Sequence, residues 1–196
     1  MVKKVTIAKI ISLYLNDYGR RYYLRELASL LGKPHQTIKS YVDSLTKEGI
    51  LIKTERKNIT EYSLNFHNKG IYDYLTIAEK EGLMERLGRD ILFKVLFEKL
   101  SPLFKNNTFI IFGSAVNGVK KGSDIDILII SNKQIFKEMD NFESIYNKRI
   151  HKIIIKNIEK LTLPLTQEVY KKHLIFNNTE QVIRYFTELY EQNKLV

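Results

Sequence analysis

The residues best suited to chemistry lie close together near the middle of the chain. Gly113 and Ser114 follow a short apolar run, and a second apolar run carries Asp124 and Asp126. Residues two apart on a strand point to the same face, so we expect the two carboxylates to lie side by side. They would repel each other unless a cation lies between them. Carboxylate oxygens suit Mg²⁺, a cation that also binds substrate phosphates.

The Gly-Ser pair adds a predicted phosphate site to this carboxylate pair. Gly113 lets the backbone approach a phosphate closely, and Ser114 at a helix start offers a hydroxyl and N–H groups. Together these features predict a site for phosphoryl or nucleotidyl transfer. A Walker-type loop is excluded, although Gly113 and Gly118 have its glycine spacing. Val119 stands where a lysine should follow, and a strand comes next where that motif has a helix.

The elements that must position this site are predicted from apolar periodicity. Residues 69–100 contain two apolar stripes at helical spacing, and Gly82 and Gly88 weaken the middle, so we expect two helices there. Strands are expected over Phe109–Phe112, from Ser123 onward and over 149–155, with a helical stretch at 134–146.

The first third of the chain has the pattern of three helices followed by a β-hairpin. The predicted elements are a helix over 3–16, a helix over Leu24–Leu31 stopped by Gly32, a helix opened by Pro34 and stopped near Gly49, and strands over 50–55 and 59–64. This order resembles archaeal winged helix-turn-helix DNA-binding domains, and the closest match is the segment from Leu24 to Gly49 with the ending Glu61–Asn65.

A predicted nucleic-acid surface follows from the outward face of the third helix. Residues 1–68 carry 12 Lys and Arg against 6 Asp and Glu, a net charge of +6 out of +10 for the whole chain. Side chains of these types contact base edges or phosphates when such a helix enters the major groove. The expected DNA-binding residues are Gln36, Lys39, Ser40 and Lys47 on the helix, and Arg56 and Lys57 at the hairpin tip. Protein contact alone, or RNA binding, is left open.

The central motif resembles the DNA polymerase β-like nucleotidyltransferase superfamily, in particular its minimal branch. The matching positions are Phe112-Gly113-Ser114, Gly118 and Ser123-Asp124-Ile125-Asp126. The tail, with Pro164, Glu168, His173 and an apolar run, is similar to archaeal proteins that fuse a winged helix to such a domain. The resemblance implies that Gly113 and Ser114 hold the triphosphate of an NTP such as ATP. It also implies that Asp124 and Asp126 are catalytic residues that bind Mg²⁺.

One departure from the family pattern concerns a third carboxylate. Active members place it on a later strand facing the aspartate pair, where it binds metal and can act as a base. The matching position here is His151, and Asp140 and Glu143 lie on the preceding helical stretch. An imidazole can accept a proton near neutral pH, but it is a poor ligand for Mg²⁺. We therefore expect nucleotide binding with slow or undetectable transfer.

Composition excludes several other classes of protein. The chain has no cysteine, which rules out a disulfide scaffold, a thiolate zinc site and cysteine catalysis. We find no apolar run long enough to cross a membrane and no signal-peptide pattern at the N-terminus, so a cytoplasmic protein without a membrane partner is expected.

The sequence thus predicts an α+β protein with three parts: a winged helix-turn-helix domain over 1–68, a helical connector over 69–100 and a nucleotidyltransferase-like domain over 101–196. The expected function is that of a DNA-binding protein whose second domain binds Mg–NTP, with a protein or small molecule as acceptor. Two alternatives stay open: a nucleotide-sensing transcriptional regulator with little or no catalysis, and an antitoxin-like transferase that modifies a partner toxin. A homodimer is also left open.

Overall fold

A computed structural model describes residues 6–57, 59–118, 123–133 and 137–195 of the chain. Within these ranges the side chain of Arg56 is not described. Internal contacts divide the chain into two units, one reaching to Ala78 and the other spanning Glu79–Leu195. This division falls within a single long helix. The domain boundaries that the sequence predicts, at residues 68 and 100, stay predictions.

The N-terminal unit consists of short helices and a three-stranded antiparallel sheet. Its elements in chain order are α1 (Ile7–Ile11), a 3₁₀ turn (Ser12–Tyr14), β1 (Tyr22–Tyr23), α2 (Leu24–Leu31), α3 (His35–Lys47), β2 (Leu51–Arg56), β3 (Ile59–Leu64) and the first turns of α4 (Ile71–Arg89). The strand order is β1-β3-β2, so β3 is the central strand.

The ends of these helices follow from identifiable residues. Gly32 ends α2 with a φ of +60°, a left-handed conformation that favours glycine. Pro34 directly precedes α3, as predicted. The predicted helix over 3–16 is wrong in its extent: within the described residues α1 starts after Thr6, whose hydroxyl accepts from the Lys9 N–H, and it tightens into a 3₁₀ turn at Ser12.

Strand β1 was not predicted because two residues are too few to show an alternating pattern. Tyr22 pairs with Tyr62 in the register of β1 and β3. Its hydroxyl donates to the Leu13 carbonyl, and the Tyr14 hydroxyl donates to the Tyr62 carbonyl. Long-range contacts of aromatic side chains therefore hold this strand in place.

The C-terminal unit has a mixed four-stranded sheet with helices around it. After α4 its elements are α5 (Ile91–Leu100), a 3₁₀ turn (Ser101–Leu103), β4 (Thr108–Phe112), a 3₁₀ turn (Gly113–Asn117), β5 (Ile125–Ile130), α6 (Lys137–Tyr146), β6 (Ile150–Ile155), a 3₁₀ turn (Ile158–Lys160), α7 (Leu163–Lys171), β7 (His173–Ile175) and α8 (Thr179–Glu191). The strand order is β6-β5-β4-β7, with β5 and β6 parallel and the other pairs antiparallel. The predicted α+β class is confirmed.

One core cluster of this unit packs on one face of the sheet, and Ile110 and Leu128 are fully buried on the other face. Alternate residues of β5, Ile125, Ile127 and Ile129, are fully buried on the first face and pack with Phe93 of α5 and Phe142 of α6. Burial of these large apolar side chains holds the sheet against the two helices. The same alternation directs the residue between Ile125 and Ile127 to the other face.

Two boundaries in this unit differ from the sequence prediction. The break between α4 and α5 is at Asp90, whose side chain accepts from the Phe93 N–H and caps α5. Gly82 and Gly88 remain within α4, since an interior glycine costs only about 1 kcal/mol relative to alanine. Strand β5 begins at Ile125, so Asp124 directly precedes the strand that was predicted to carry it.

Candidate active site

The 3₁₀ turn that follows β4 lies at the end of the two central strands, β4 and β5. Gly113 has a φ of +72°, a conformation that side-chain-bearing residues rarely adopt. Its N–H donates to the Lys172 carbonyl, 3.1 Å away, directly before β7. The N–H of Gly118 donates to the Ala115 carbonyl at 2.9 Å, closing the turn, and Ser114 is exposed on it.

Asp126 lies directly against this turn. It pairs with Phe112 in the register of β4 and β5, so its neighbour across the sheet is the residue before Gly113. A Cβ added to Gly113 would lie 3.0 Å from the Asp126 Oδ2 atom. Glycine is therefore required here for two reasons, the positive φ and the close approach of a carboxylate. The structure brings these two predicted site residues together.

His151 occupies the other side of Asp126. The two residues pair in the register of the parallel strands β5 and β6. The His151 Nδ1 atom lies 3.1 Å from the Asp126 Oδ1 atom. A carboxylate only accepts hydrogen bonds, so this contact assigns the ring proton to Nδ1. The His151 side chain is 64% exposed and Asp126 is 29% exposed, so the pair is open to solvent.

Asp124 is exposed at the start of β5. It lines an open cleft of about 440 Å³ together with Ser123, Glu143, Asn147, Lys148 and Arg149. Ile125, between the two aspartates, is fully buried, whereas Asp124 is exposed and Asp126 is half-buried. Among the described residues there is no cluster of three or more His, Asp and Glu side chains that could hold a metal ion on protein ligands alone.

Asp140 and Glu143 contact Lys152 on the neighbouring strand. The Lys152 Nζ atom lies 2.6 Å from Asp140 Oδ1 and 2.8 Å from Glu143 Oε2. Burial alone would lower the pKa of Lys152, but these carboxylates outweigh it and raise that pKa above its ordinary value. Glu143 also accepts from the Ile150 N–H at 2.7 Å. These hydrogen bonds hold the end of α6 to the start of β6.

The residues present fit a magnesium ion that is shared with a bound phosphate. Mg²⁺ in such sites is held by one or two carboxylates plus substrate oxygens and water. Asp126 contributes an oxygen beside the Gly113 turn, and Asp124 stands at the same end of the strand. A third protein ligand is not needed for this type of binding, so the donor set agrees with the expected cation.

The predicted DNA-contact residues on α3 are all exposed. Gln36, Lys39, Ser40 and Lys47 lie opposite the fully buried Ile38, Val42 and Leu45. The Ser40 hydroxyl donates to the Thr37 carbonyl within the helix. At the hairpin tip Lys57 is exposed with a φ of +54°, and the Arg56 side chain lies outside the described part of the chain.

Strand β7 and its contacts were not predicted from the sequence. His173 pairs with Phe112 in the register of β4 and β7, directly beside the Gly113 turn. Both of its ring nitrogens are engaged: Nε2 with Glu79, and Nδ1 with the carbonyls of Val169 and Tyr170. The available signal was a short apolar run after His173, which could equally belong to a helix. No sequence pattern around Glu79 indicated its contact with His173, because the two residues are 94 positions apart.

Comparisons with curated proteins and with solved structures give no information about this site. The search of curated proteins found no match. A crystal structure of Pseudomonas aeruginosa HmgR matches with 15% identity and a TM-score of 0.26, covering 80% of this chain and 54% of that chain. Similarity at this level carries no argument about fold or function. In the described residues no helix is both long and apolar enough to cross a membrane.

A family model described as "Polymerase beta, Nucleotidyltransferase" matches residues 98–181. This range includes Gly113, Ser114, Asp124, Asp126 and His151, although it is less than half of the chain. The mixed sheet with its surrounding helices fits the same assignment. The match therefore supports placing residues 98–181 in the nucleotidyltransferase superfamily.

Proposed function

We propose that the C-terminal unit binds a magnesium-complexed nucleoside triphosphate at the Gly113 turn. The observation that carries this proposal is the apposition of Gly113 and Asp126, with 3.0 Å between a Cβ built on Gly113 and the Asp126 Oδ2 atom. A glycine that begins a backbone turn and a carboxylate thus meet at the end of the two central strands of the sheet. This pairing suits a phosphate and the cation that accompanies it.

The residues have distinct roles in this proposal. The backbone of Gly113 and the exposed Ser114 bind phosphate oxygens, and Asp124 and Asp126 hold Mg²⁺. When bound, the ion would neutralise phosphate charge and polarise the reacting phosphorus centre. The nucleotide expected from the family resemblance is ATP.

We expect slow transfer, because the position of a third carboxylate is occupied by His151. Its Nδ1 atom contacts Asp126 at 3.1 Å, so the imidazole stands beside one proposed magnesium ligand without adding an oxygen of its own. This observation favours the second candidate function, a regulator that senses nucleotide with little or no catalysis. Modification of a partner toxin rests on the family resemblance alone and stays a prediction.

The proposed role of the N-terminal unit is duplex DNA binding by a winged helix. Support comes from the exposed polar face of α3, with Gln36, Lys39 and Ser40 opposite its buried apolar face. The net charge of +6 in residues 1–68 favours a polyanionic partner. The two activities together describe a DNA-binding protein whose second unit responds to nucleotide, as an enzyme or as a sensor.

Incubation with α-labelled NTPs, Mg²⁺ and cell extract tests enzyme against sensor. A sensor retains labelled nucleotide in a form that denaturation releases, and no extract component becomes covalently labelled. Rapid covalent labelling of a protein or small molecule would contradict the slow-transfer proposal. The Asp124→Asn/Asp126→Asn variant serves as the negative control, and Asp140→Asn, which removes an exposed carboxylate facing Lys152, is the matched control.

A further inference from the structure

Arg86 on α4 contacts the turn that we propose as the phosphate site. Its Nη2 atom donates to the Ala115 carbonyl at 3.4 Å. Ala115 is fully buried within the Gly113–Asn117 turn, and its carbonyl also accepts from Gly118. A Cβ placed on Gly118 would lie 3.7 Å from the same Arg86 nitrogen. The guanidinium therefore lies against the closing end of the turn.

Other contacts fix the Arg86 side chain in this position. Asp90 lies one helical turn away, with its Oδ2 atom 3.3 Å from Arg86 Nη2. The other Asp90 oxygen caps α5 by accepting from the Phe93 N–H. The guanidinium also stacks over the Phe93 ring, with 5.1 Å from its central carbon to the ring centroid. The cation is thus held by an ion pair and an aromatic ring, both at the start of α5.

The turn carries no charge of its own, so the neighbouring Arg86 guanidinium matters for binding an anion there. Residues 113–118 have the sequence Gly-Ser-Ala-Val-Asn-Gly, which contains no charged side chain. The Arg86 side chain is only 22% exposed, so water screens its charge less than that of a surface arginine. Its Nε atom is buried without a hydrogen-bond partner in the described part of the chain. A half-buried guanidinium, ion-paired to Asp90 and with one unused donor, thus lies directly behind an uncharged turn.

We infer that Arg86 is a positioning residue for nucleotide phosphates: it fixes the Gly113–Gly118 turn through Ala115 and supplies positive charge behind it. This inference rests on the proposed function, since it assigns Arg86 to the same phosphate site. The ligand class is the polyphosphate chain of a nucleoside triphosphate. Hydrogen bonding to the turn orders it before the nucleotide arrives, and the charge then favours the anion.

Hydrogen exchange of the full-length protein tests the positioning role without any nucleotide. The Gly118 amide is the reporter, because it donates to the same Ala115 carbonyl as Arg86. Arg86→Met should accelerate its exchange about tenfold, as expected when a charged hydrogen bond to the turn is removed. The matched control is Arg89→Met, on the same helix with its own ion pair to Glu85. Equal exchange in the two variants would overturn the positioning role, whether or not the protein binds nucleotide.

Titration with Mg–ATP then tests the electrostatic role. Arg86→Met should weaken binding by about tenfold to a hundredfold, the range for a charged hydrogen bond, and Arg89→Met should leave it unchanged. Arg86→Lys should restore part of the affinity, since it keeps the charge but loses the planar fork. If wild-type protein binds Mg–ATP and Arg86→Met binds it equally well, the electrostatic role is wrong. If wild-type protein does not bind, the proposed function fails and so does this role of Arg86.

Discussion

The imidazole of His173 and the carboxylate of Glu79 form a buried pair, with 2.7 Å between Nε2 and Oε1. The His173 Nδ1 atom faces two carbonyls, of Val169 and Tyr170, each at 3.0 Å. Carbonyls and carboxylates only accept, so both ring nitrogens carry a proton and the pair is imidazolium with carboxylate. Burial opposes this charge, but Glu79 and the two carbonyls outweigh it and raise the pKa of His173 above its ordinary value.

Removing one partner of this pair should destabilise the protein strongly. Glu79→Met leaves a buried cation without its counterion, and we expect the free energy of unfolding to fall by about 3–5 kcal/mol. The double variant Glu79→Met/His173→Leu should recover part of this loss, because apolar side chains can replace a buried ion pair at little cost. Denaturant titration at pH 7 measures both effects. A double variant that is less stable than Glu79→Met contradicts this account of the pair.

The same pair predicts how stability depends on pH. The pKa of His173 is raised in the folded protein, so the folded state holds this proton more tightly than the unfolded chain does. The contribution of the pair is therefore full below about pH 6.5, the unfolded value, and is lost as pH rises through the folded value. We expect the stability difference between wild type and the Glu79→Met/His173→Leu variant to shrink as the pH rises above 6.5. A constant difference from pH 6 to 9 would show that His173 does not titrate as expected.

Gly113→Ala should damage the site and the fold at once. Its φ of +72° strains any side chain, and the new Cβ would press against Asp126 Oδ2. We expect the free energy of unfolding to fall by about 1–3 kcal/mol. We also expect Mg–ATP binding to be lost. Gly82→Ala is the control: it lies inside α4, and apart from the helix's own backbone no atom of the described residues lies within 4 Å of an added Cβ, so it should stabilise the protein by about 0.5–1 kcal/mol. Similar effects of the two substitutions on stability and binding would contradict the special role of Gly113.

His151→Asp should increase nucleotidyl transfer. The new carboxylate would stand beside Asp126, in the register position that His151 holds, and supply an oxygen ligand and a base. We expect a gain of roughly 10²-fold in labelled product, at the lower end of what a positioned base contributes. His67→Asp, an exposed substitution in the N-terminal unit, is the control. Rapid transfer by wild-type protein, or a loss of transfer in His151→Asp, would show that the third carboxylate lies elsewhere.

DNA binding should separate into two kinds of interaction. Arg56→Ala/Lys57→Ala should weaken binding to all duplexes alike and reduce the salt slope by about 0.9 for each phosphate that the variant no longer neutralises. Gln36→Ala, on the exposed face of α3, should instead change which sequences are preferred. Lys105→Ala/Lys171→Ala, two exposed lysines of the C-terminal unit, controls for net charge. Fluorescence anisotropy against salt measures all three, and an equal loss of affinity in the control would argue against a specific surface on the N-terminal unit.

Local signals in the sequence were sufficient for much of this structure. Gly32 marks the end of α2 and Pro34 the start of α3. The family resemblance indicated His151 as the position of the third carboxylate, and the structure pairs it with Asp126. Long-range contacts were not predictable in the same way. The Glu79–His173 pair and the Arg86–Ala115 contact join residues 94 and 29 positions apart, and no local pattern encodes such pairs.

Isothermal titration with ATP in the presence and absence of Mg²⁺ tests the central claim most directly. Wild-type protein should bind Mg–ATP, and binding should weaken sharply in Asp124→Asn/Asp126→Asn while a thermal unfolding curve shows that the variant is folded. Asp140→Asn removes a carboxylate that faces Lys152, and this variant should bind Mg–ATP as wild type does. Unchanged Mg–ATP affinity in the folded double variant, or no binding by wild-type protein, would contradict a magnesium–nucleotide site at Gly113 and Asp126.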